Sequence, residues 1–213
     1  MAGRIEDEIE IIYWGEGEEG NTVNAEQFKK KKRRREEIDW RKELLSWARI
    51  VVIAVAVAFI VDHFIIINAE VPSGSMEQTI HEHSRMIGFR LSYIFSKPKR
   101  GDIIIFKYPE NESENFVKRV IGLPGESIEI KKGKVYIDGT MIDEDYVYFS
   151  KGLINLDGDF EKTYIPKGCY FVLGDNRNNS KDSRFWEKTH FVTEDEILGK
   201  AIFSYYPKFY FLE

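Results

Sequence analysis

Phe116-Val117-Lys118-Arg119-Val120-Ile121-Gly122-Leu123-Pro124-Gly125-Glu126-Ser127-Ile128-Glu129-Ile130 is the stretch on which the fold turns. Aromatic and β-branched residues fill both ends, and Leu123-Pro124-Gly125-Glu126 breaks the middle, so it reads as strand, turn, strand. Alternation along the first strand puts Lys118 on one face with Phe116 and Val120, and Arg119 on the other with Val117 and Ile121. One of these two bases therefore lies against apolar neighbours.

Working outward, the same pattern recurs in Asp102–Phe106, Lys134–Ile137, Cys169–Leu173 and Ala201–Tyr205. Lys131-Lys132-Gly133 and Asp138-Gly139 supply further turns. One short helix is expected after Thr193, because Thr193-Glu194-Asp195-Glu196 fits a capping box. Many short strands with few helical windows predict a mainly β domain over residues 69–213, with barrel or Greek-key character. The single cysteine, Cys169, cannot form an internal disulfide, and no Cys/His spacing suits a structural metal, so this fold rests on its core.

Upstream the composition changes. The 213-residue chain has a net charge of −5, which argues against a general affinity for nucleic acid, but that total hides three regions. Residues 1–24 carry seven acids and one base, residues 25–49 ten bases and five acids, and residues 50–213 twenty bases and twenty-four acids. The first region reads as an acidic tail too poor in apolar residues to build a core. The basic block Lys29–Arg35 could be a nucleic-acid arm or a solvated face, but the long apolar segment on its C-terminal side favours a role in membrane topology.

Every residue from Ile50 to Val61 is apolar, and after Asp62-His63 the run resumes through Ile67. As one helix, these residues would span roughly 27 Å, near the ~30 Å of a bilayer's hydrocarbon layer. We therefore expect residues 1–46 to be a cytoplasmic tail and basic block, 47–68 a transmembrane helix, and 69–213 an extracytoplasmic domain. The positive residues would stay in the cytoplasm. A buried core helix is the competing reading, weakened by the segment's apolarity on every face.

Some motifs carry little. Gly15-Glu16-Gly17-Glu18-Glu19-Gly20 spells a dinucleotide fingerprint, yet its three glutamates would repel a pyrophosphate. His81 and His83 could pair on a metal but have no third ligand at a fitting distance, so neither metal nor cofactor is expected. No G-x-S-x-G occurs, which weakens an α/β-hydrolase reading.

The chemistry concentrates in three places. In Val71-Pro72-Ser73-Gly74-Ser75-Met76-Glu77-Gln78-Thr79, an extended backbone would aim Ser73 and Ser75 to one side, beside a glycine that permits close approach. Two such hydroxyls can supply a nucleophile and an oxyanion donor, although a polar turn explains the composition equally well. A base is needed, and Lys118 serves if burial strips its proton; lowering a lysine to a pKa of about 8 requires roughly 3 kcal/mol of destabilisation of the charged form. A snorkelling lysine is the ordinary alternative. The run Gly174-Asp175-Asn176-Arg177-Asn178-Asn179-Ser180-Lys181-Asp182-Ser183-Arg184 suits either a bonded positioning loop or a solvated one.

Together these segments resemble type I signal peptidases. The matching stretches are Pro72–Met76 with Thr79, Arg100–Phe106 with Pro109, Val117–Gly125, and Gly174–Arg184, in the family's order behind an apolar span. The resemblance covers about residue 50 to 213 and implies a membrane-anchored endopeptidase that removes signal peptides from exported preproteins after a small-x-small site. It implies a Ser75/Lys118 dyad, an acyl-enzyme, and an oxyanion hole formed by the Ser73 hydroxyl and Ser75 N–H. It implies that Ser180 hydrogen-bonds and orients the Lys118 amine, that Asp175, Asp182, Arg184 and Arg119 support the site, with Arg119 on Asp175, and that Met76 shapes the substrate wall. The implied partners are preprotein signal peptides, the lipid bilayer and the secretion translocon of a bacterial cell membrane. Gln78 departs from the proline usual after Ser-Met-x, Phe116 from tyrosine, and Glu126 from aspartate. A non-enzymatic, membrane-tethered β domain that binds partners or cell wall is the alternative from another class.

Overall fold

A computed structural model describes residues 39–150 and 158–212. The acidic tail and the Lys29–Arg35 block lie outside the described residues.

Helix α1 spans Trp40–Ile60. Asp39 caps it, its carboxylate accepting from the Lys42 N–H at 3.5 Å. No side chain of α1 is buried; Ile50, Val55 and Phe59 are all more than half exposed. A turn of π-helix, Val61–Ile65, continues it, and the helical run Trp40–Ile65 is long and apolar enough to cross a membrane. Helix then gives way to strand sooner than expected. Ile66 and Ile67, which the apolar run assigns to the end of the span, begin strand β1, Ile66–Glu70. An apolar run bounded by no Gly or Pro does not reveal such a switch, because a buried strand and an apolar helix share its composition.

The rest is mainly β, as the sequence predicts. The strands after β1 are β2 (Arg85–Phe89), β3 (Ile103–Tyr108), β4 (Asn111–Gly122), β5 (Ser127–Lys131), β6 (Lys134–Ile137), β7 (Thr140–Met141), β8 (Phe160–Tyr164), β9 (Cys169–Leu173), β10 (Val192–Thr193), β11 (Ile197–Tyr206) and β12 (Tyr210–Phe211). A large sheet has the order β1-β2-β11-β3-β4-β9-β10, with β12 on β11, and a small one the order β7-β6-β5-β8. All of these pairings are antiparallel. Strand β11 returns from the end of the chain to lie between β2 and β3, a crossover rather than a simple meander. The path has two ends, β1 and β10, so the described residues form no closed ring of strands.

Local chemistry explains the joints. Glu126 N–H donates to the Leu123 carbonyl at 3.2 Å, and Gly125 has φ +91°, as a turn with proline second and glycine third requires. Lys132-Gly133 and Asp138-Gly139 all have positive φ and close two-residue hairpins after β5 and β6. The Thr193 box closes through a bond from the Thr193 N–H to Glu196 at 2.7 Å, but yields a single 3-10 turn, Glu194–Glu196.

Alternation along the central strands feeds two cores. Ile103, Ile105 and Val117 pack with Met76, Ile80 and Met86, while Ile104, Phe106 and Val120 pack with Tyr170, Val172 and Trp186. A third cluster, with Ile128, Val135, Ile165 and Phe171, joins the small sheet to the large one. Strand β4 is thus covered on both faces where it carries Lys118 and Arg119.

Candidate active site

Strand β1 leads directly into the first functional segment. Val71 N–H donates to the Ser84 carbonyl and its carbonyl accepts from the His83 N–H, which reverses the chain around the segment between them. Within it, Gly74–Met76 forms a 3-10 turn closed by Glu77 N–H donating to the Gly74 carbonyl at 3.2 Å. Ser75 sits in this turn at 4% exposure. Its N–H belongs to the first-turn donors that a helical turn leaves without an internal acceptor. Gln78, two residues past the turn, has φ +79°, a left-handed conformation that proline cannot adopt.

Lys118 approaches from β4. Its register opposite Ile104 places it on the second core face, beside Phe116 and Val120, at 4% exposure. The amine donates to Ser75 Oγ at 2.8 Å and to the Val117 carbonyl at 2.9 Å. Burial pushes its pKa down from 10.5 to about 8, against the opposing pull of Asp182 and Asp175. Ser73 Oγ lies 3.3 Å from Ser75 Oγ. The strand and the short turn thus bring the Ser75 hydroxyl, the Lys118 amine and the Ser73 hydroxyl within contact.

The Gly174–Arg184 loop holds this arrangement from behind. Asn176 N–H donates to the Ser75 carbonyl at 3.1 Å, and its side-chain amide to the Gly74 carbonyl at 3.0 Å. Thr79 donates to Asp175 at 2.5 Å. Asp175 in turn accepts two bonds from Arg119, Nε at 2.9 Å and Nη2 at 2.7 Å, with both partners buried. The Arg119 guanidinium lies 4.0 Å from the Tyr146 ring centre. Asp182 accepts from Arg184 at 2.8 and 2.9 Å and from the Gly174 N–H at 3.0 Å. Arg177 pairs with Glu144 at 2.6 Å.

Two expectations need correction. Ser180 does not hydrogen-bond to Lys118: its Oγ is buried without a partner among the described residues, lodged over Gly174, where an added Cβ would meet it at 2.2 Å. It nevertheless lines the same groove as Lys118. Met76 is no wall of that groove. It is fully buried in the first core cluster, because the 3-10 turn points it inward while Ser75 faces the amine. Sequence reasoning missed Asn176 as a clamp on the Gly74–Met76 turn, and missed Glu144, Arg177 and Tyr146. Asn176 lay inside a recognised run; Glu144 and Tyr146 come from a loop whose acidic composition resembles any surface.

The groove beside the Ser75 hydroxyl has a volume of about 710 Å³ and is bounded by Glu70–Ser73, Glu114–Lys118 and Asn178–Lys181. His81, the nearest histidine in sequence, is engaged with Glu77 at 2.8 Å on the surface.

Comparison with known proteins gives the site a context. Residues 44–206 match a family model described as signal peptidase, peptidase S26. Signal peptidase I S of Bacillus subtilis (strain 168) is 36% identical over 179 residues, covering 81% of this chain and 94% of that protein. Signal peptidase I T of the same organism is 36% identical over 195 residues, covering 89% and 95%. A probable signal peptidase I-2 of Synechocystis is 34% identical over 168 residues, covering 76% and 73%. A crystal structure of a signal peptidase I from Enterococcus faecalis V583, 38% identical, covers 49% of this chain and 97% of its own, with a TM-score of 0.42.

Proposed function

The chain belongs to the signal peptidase family, peptidase S26, and from that premise we propose that it is a membrane-anchored serine endopeptidase working through a Ser75/Lys118 dyad. The observation that carries this reading is the buried 2.8 Å bond from the Lys118 amine to Ser75 Oγ, made by an amine whose pKa is pushed down to about 8. With a pKa of about 8, about a tenth of the amines are neutral at pH 7 and about half at pH 8, and a neutral amine can accept a proton.

The reaction then runs in two halves. With a preprotein's scissile carbonyl in the groove, Ser75 Oγ attacks the carbonyl carbon as its proton passes to the Lys118 amine. Negative charge develops on the carbonyl oxygen and meets the Ser75 N–H and the Ser73 hydroxyl, which turns from Ser75 Oγ to the oxyanion. The Lys118 ammonium returns its proton to the leaving nitrogen, the new N-terminus of the mature protein, and leaves the signal peptide as an ester on Ser75. Water, deprotonated by Lys118, cleaves that ester to a carboxylate and restores the serine.

The anchor supplies location. A preprotein's apolar segment lies in the bilayer with its cleavage site just outside, and Ser75 comes ten residues after the helical run Trp40–Ile65. The positive block before the span keeps the N-terminus in the cytoplasm and the β domain outside, where exported chains emerge from the translocon of a bacterial cell membrane. The Asp175–Arg119 and Asp182–Arg184 pairs act as supports that fix the loop behind the nucleophile.

The test is cleavage of a purified preprotein in detergent by the full chain. Wild-type protein releases a signal peptide and a mature chain, and Ser75→Ala releases neither. Unaltered cleavage by Ser75→Ala would remove the serine mechanism.

A further inference from the structure

Away from the dyad, the 3-10 turn Arg90–Tyr93 packs beside Val61–Ile65, the last turn of the apolar helix. Next to it lies a groove of about 550 Å³ to which Arg90, Tyr93, Ile94, Phe95, Lys97 and Glu194 contribute. We propose that this groove binds the phosphodiester of an anionic membrane lipid, with Arg90 as the group that recognises it.

Three features support the assignment. First, Arg90 is an unanswered donor: its Nε is buried without a hydrogen-bond partner among the described residues. A desolvated donor of this kind costs free energy until an acceptor arrives, and a phosphate offers the planar, charge-assisted pairing that guanidinium favours. Second, the remaining polar groups are already committed. The Tyr93 hydroxyl donates to Asp102 at 3.1 Å, and Lys97 neutralises Glu194 at 2.9 Å, so the one carboxylate in the groove does not present a free negative charge. Third, position selects the source. The groove is built on the Arg90–Tyr93 turn, which touches Val61–Ile65, the end of the apolar helix where a span would leave the hydrocarbon layer and meet head groups. Ile94 and Phe95, beside it, are 59% and 98% exposed, an apolar edge suited to acyl chain rather than water.

The experiment uses the full chain in zwitterionic nanodiscs of phosphatidylcholine, into which phosphatidylglycerol is titrated. Modification of arginines by phenylglyoxal is then mapped by peptide mass spectrometry. In wild-type protein, phosphatidylglycerol slows Arg90 modification severalfold and leaves Arg100, which pairs with Glu126 at 2.6 Å, unchanged. In native mass spectrometry, Arg90→Gln retains phosphatidylglycerol about tenfold less tightly, the loss expected for one charged hydrogen-bonding group, while Arg90→Lys loses less. Equal labelling of Arg90 with and without phosphatidylglycerol would overturn the site, and that arm needs no variant to fold. If dissolved glycerol phosphate displaces the lipid as well as added phosphatidylglycerol does, the site takes a soluble phosphate and the lipid assignment falls.

Discussion

Lys118 is held at 4% exposure between Phe116 and Val120, with Ser75 Oγ at 2.8 Å as its hydroxyl partner. Holding its pKa at about 8 rather than 10.5 costs roughly 3 kcal/mol at neutral pH. Proton counting sets the sign. The unfolded chain keeps this proton up to its ordinary value, so the cost is full below about pH 8 and is relieved as pH rises through the window from 8 to 10.5. Activity should track the neutral amine: kcat/KM for a preprotein falls about tenfold per pH unit below the amine's pKa and levels off above it. A flat profile across roughly pH 6 to 9 would contradict a lysine base. Ser73 offers a milder test. If Ser73 is an oxyanion donor as proposed, Ser73→Ala lowers kcat by about a hundredfold, with KM little changed, because the Ser75 N–H remains. The alternation of Phe116–Ile121 made Lys118 legible as a base facing apolar neighbours; that Ser75 would meet it came from the family resemblance alone, since 43 residues separate the two and no local pattern joins them.

At the scale of elements, the decisive contact is the loop Gly174–Arg184 against the turn that carries Ser75. Gly174 is the point of closest approach: a Cβ there would stand 2.5 Å from the Ser75 carbonyl and 2.2 Å from Ser180 Oγ. Gly174→Ala should therefore push the turn away from the amine and lose most activity, read as a fall in kcat in a protein that still melts cooperatively. Asp175→Asn leaves Arg119 buried and underpaired, and should lower stability by about 3 kcal/mol in denaturant unfolding. Gln78 tests the turn itself. At φ +79° it accepts glycine, whereas Gln78→Pro should cost both stability and cleavage. The Asp175–Arg119 pair was expected from the resemblance, whereas the approach of Gly174 to the Ser75 turn was hidden from sequence reasoning. Strand periodicity and turn chemistry are local, and they recovered β3, β5, β6 and β9 closely but only the C-terminal half of β4, whose polar start Asn111–Asn115 carries no strand pattern. Which loop lies behind which turn depends on the crossover of β11 and the pairing of β4 with β9, and no local pattern encodes either. Strand β1 was lost to the same limit, because Ile66-Ile67 is as apolar as the helix before it.

For the whole molecule, composition averaged over the chain is misleading and its regional order is informative. The basic block before Trp40 and the apolar helix after it, none of whose residues is buried, predict a single orientation. Protease added outside spheroplasts should digest the β domain and spare the N-terminal segment; sparing of the β domain would reverse the topology. The small sheet, by contrast, could be read strand by strand but not placed, because its packing through Ile128, Ile165 and Phe171 joins residues distant in sequence. Anchor, groove and dyad together make one claim, that a buried lysine is the base of a membrane-tethered peptidase. The most direct measurement is preprotein cleavage by Lys118→Met in detergent, alongside its unfolding free energy. The account predicts cleavage reduced by about a thousandfold or more, in a protein at least as stable as wild type, because methionine fills the site without a charge to desolvate. Full cleavage by Lys118→Met would contradict the account.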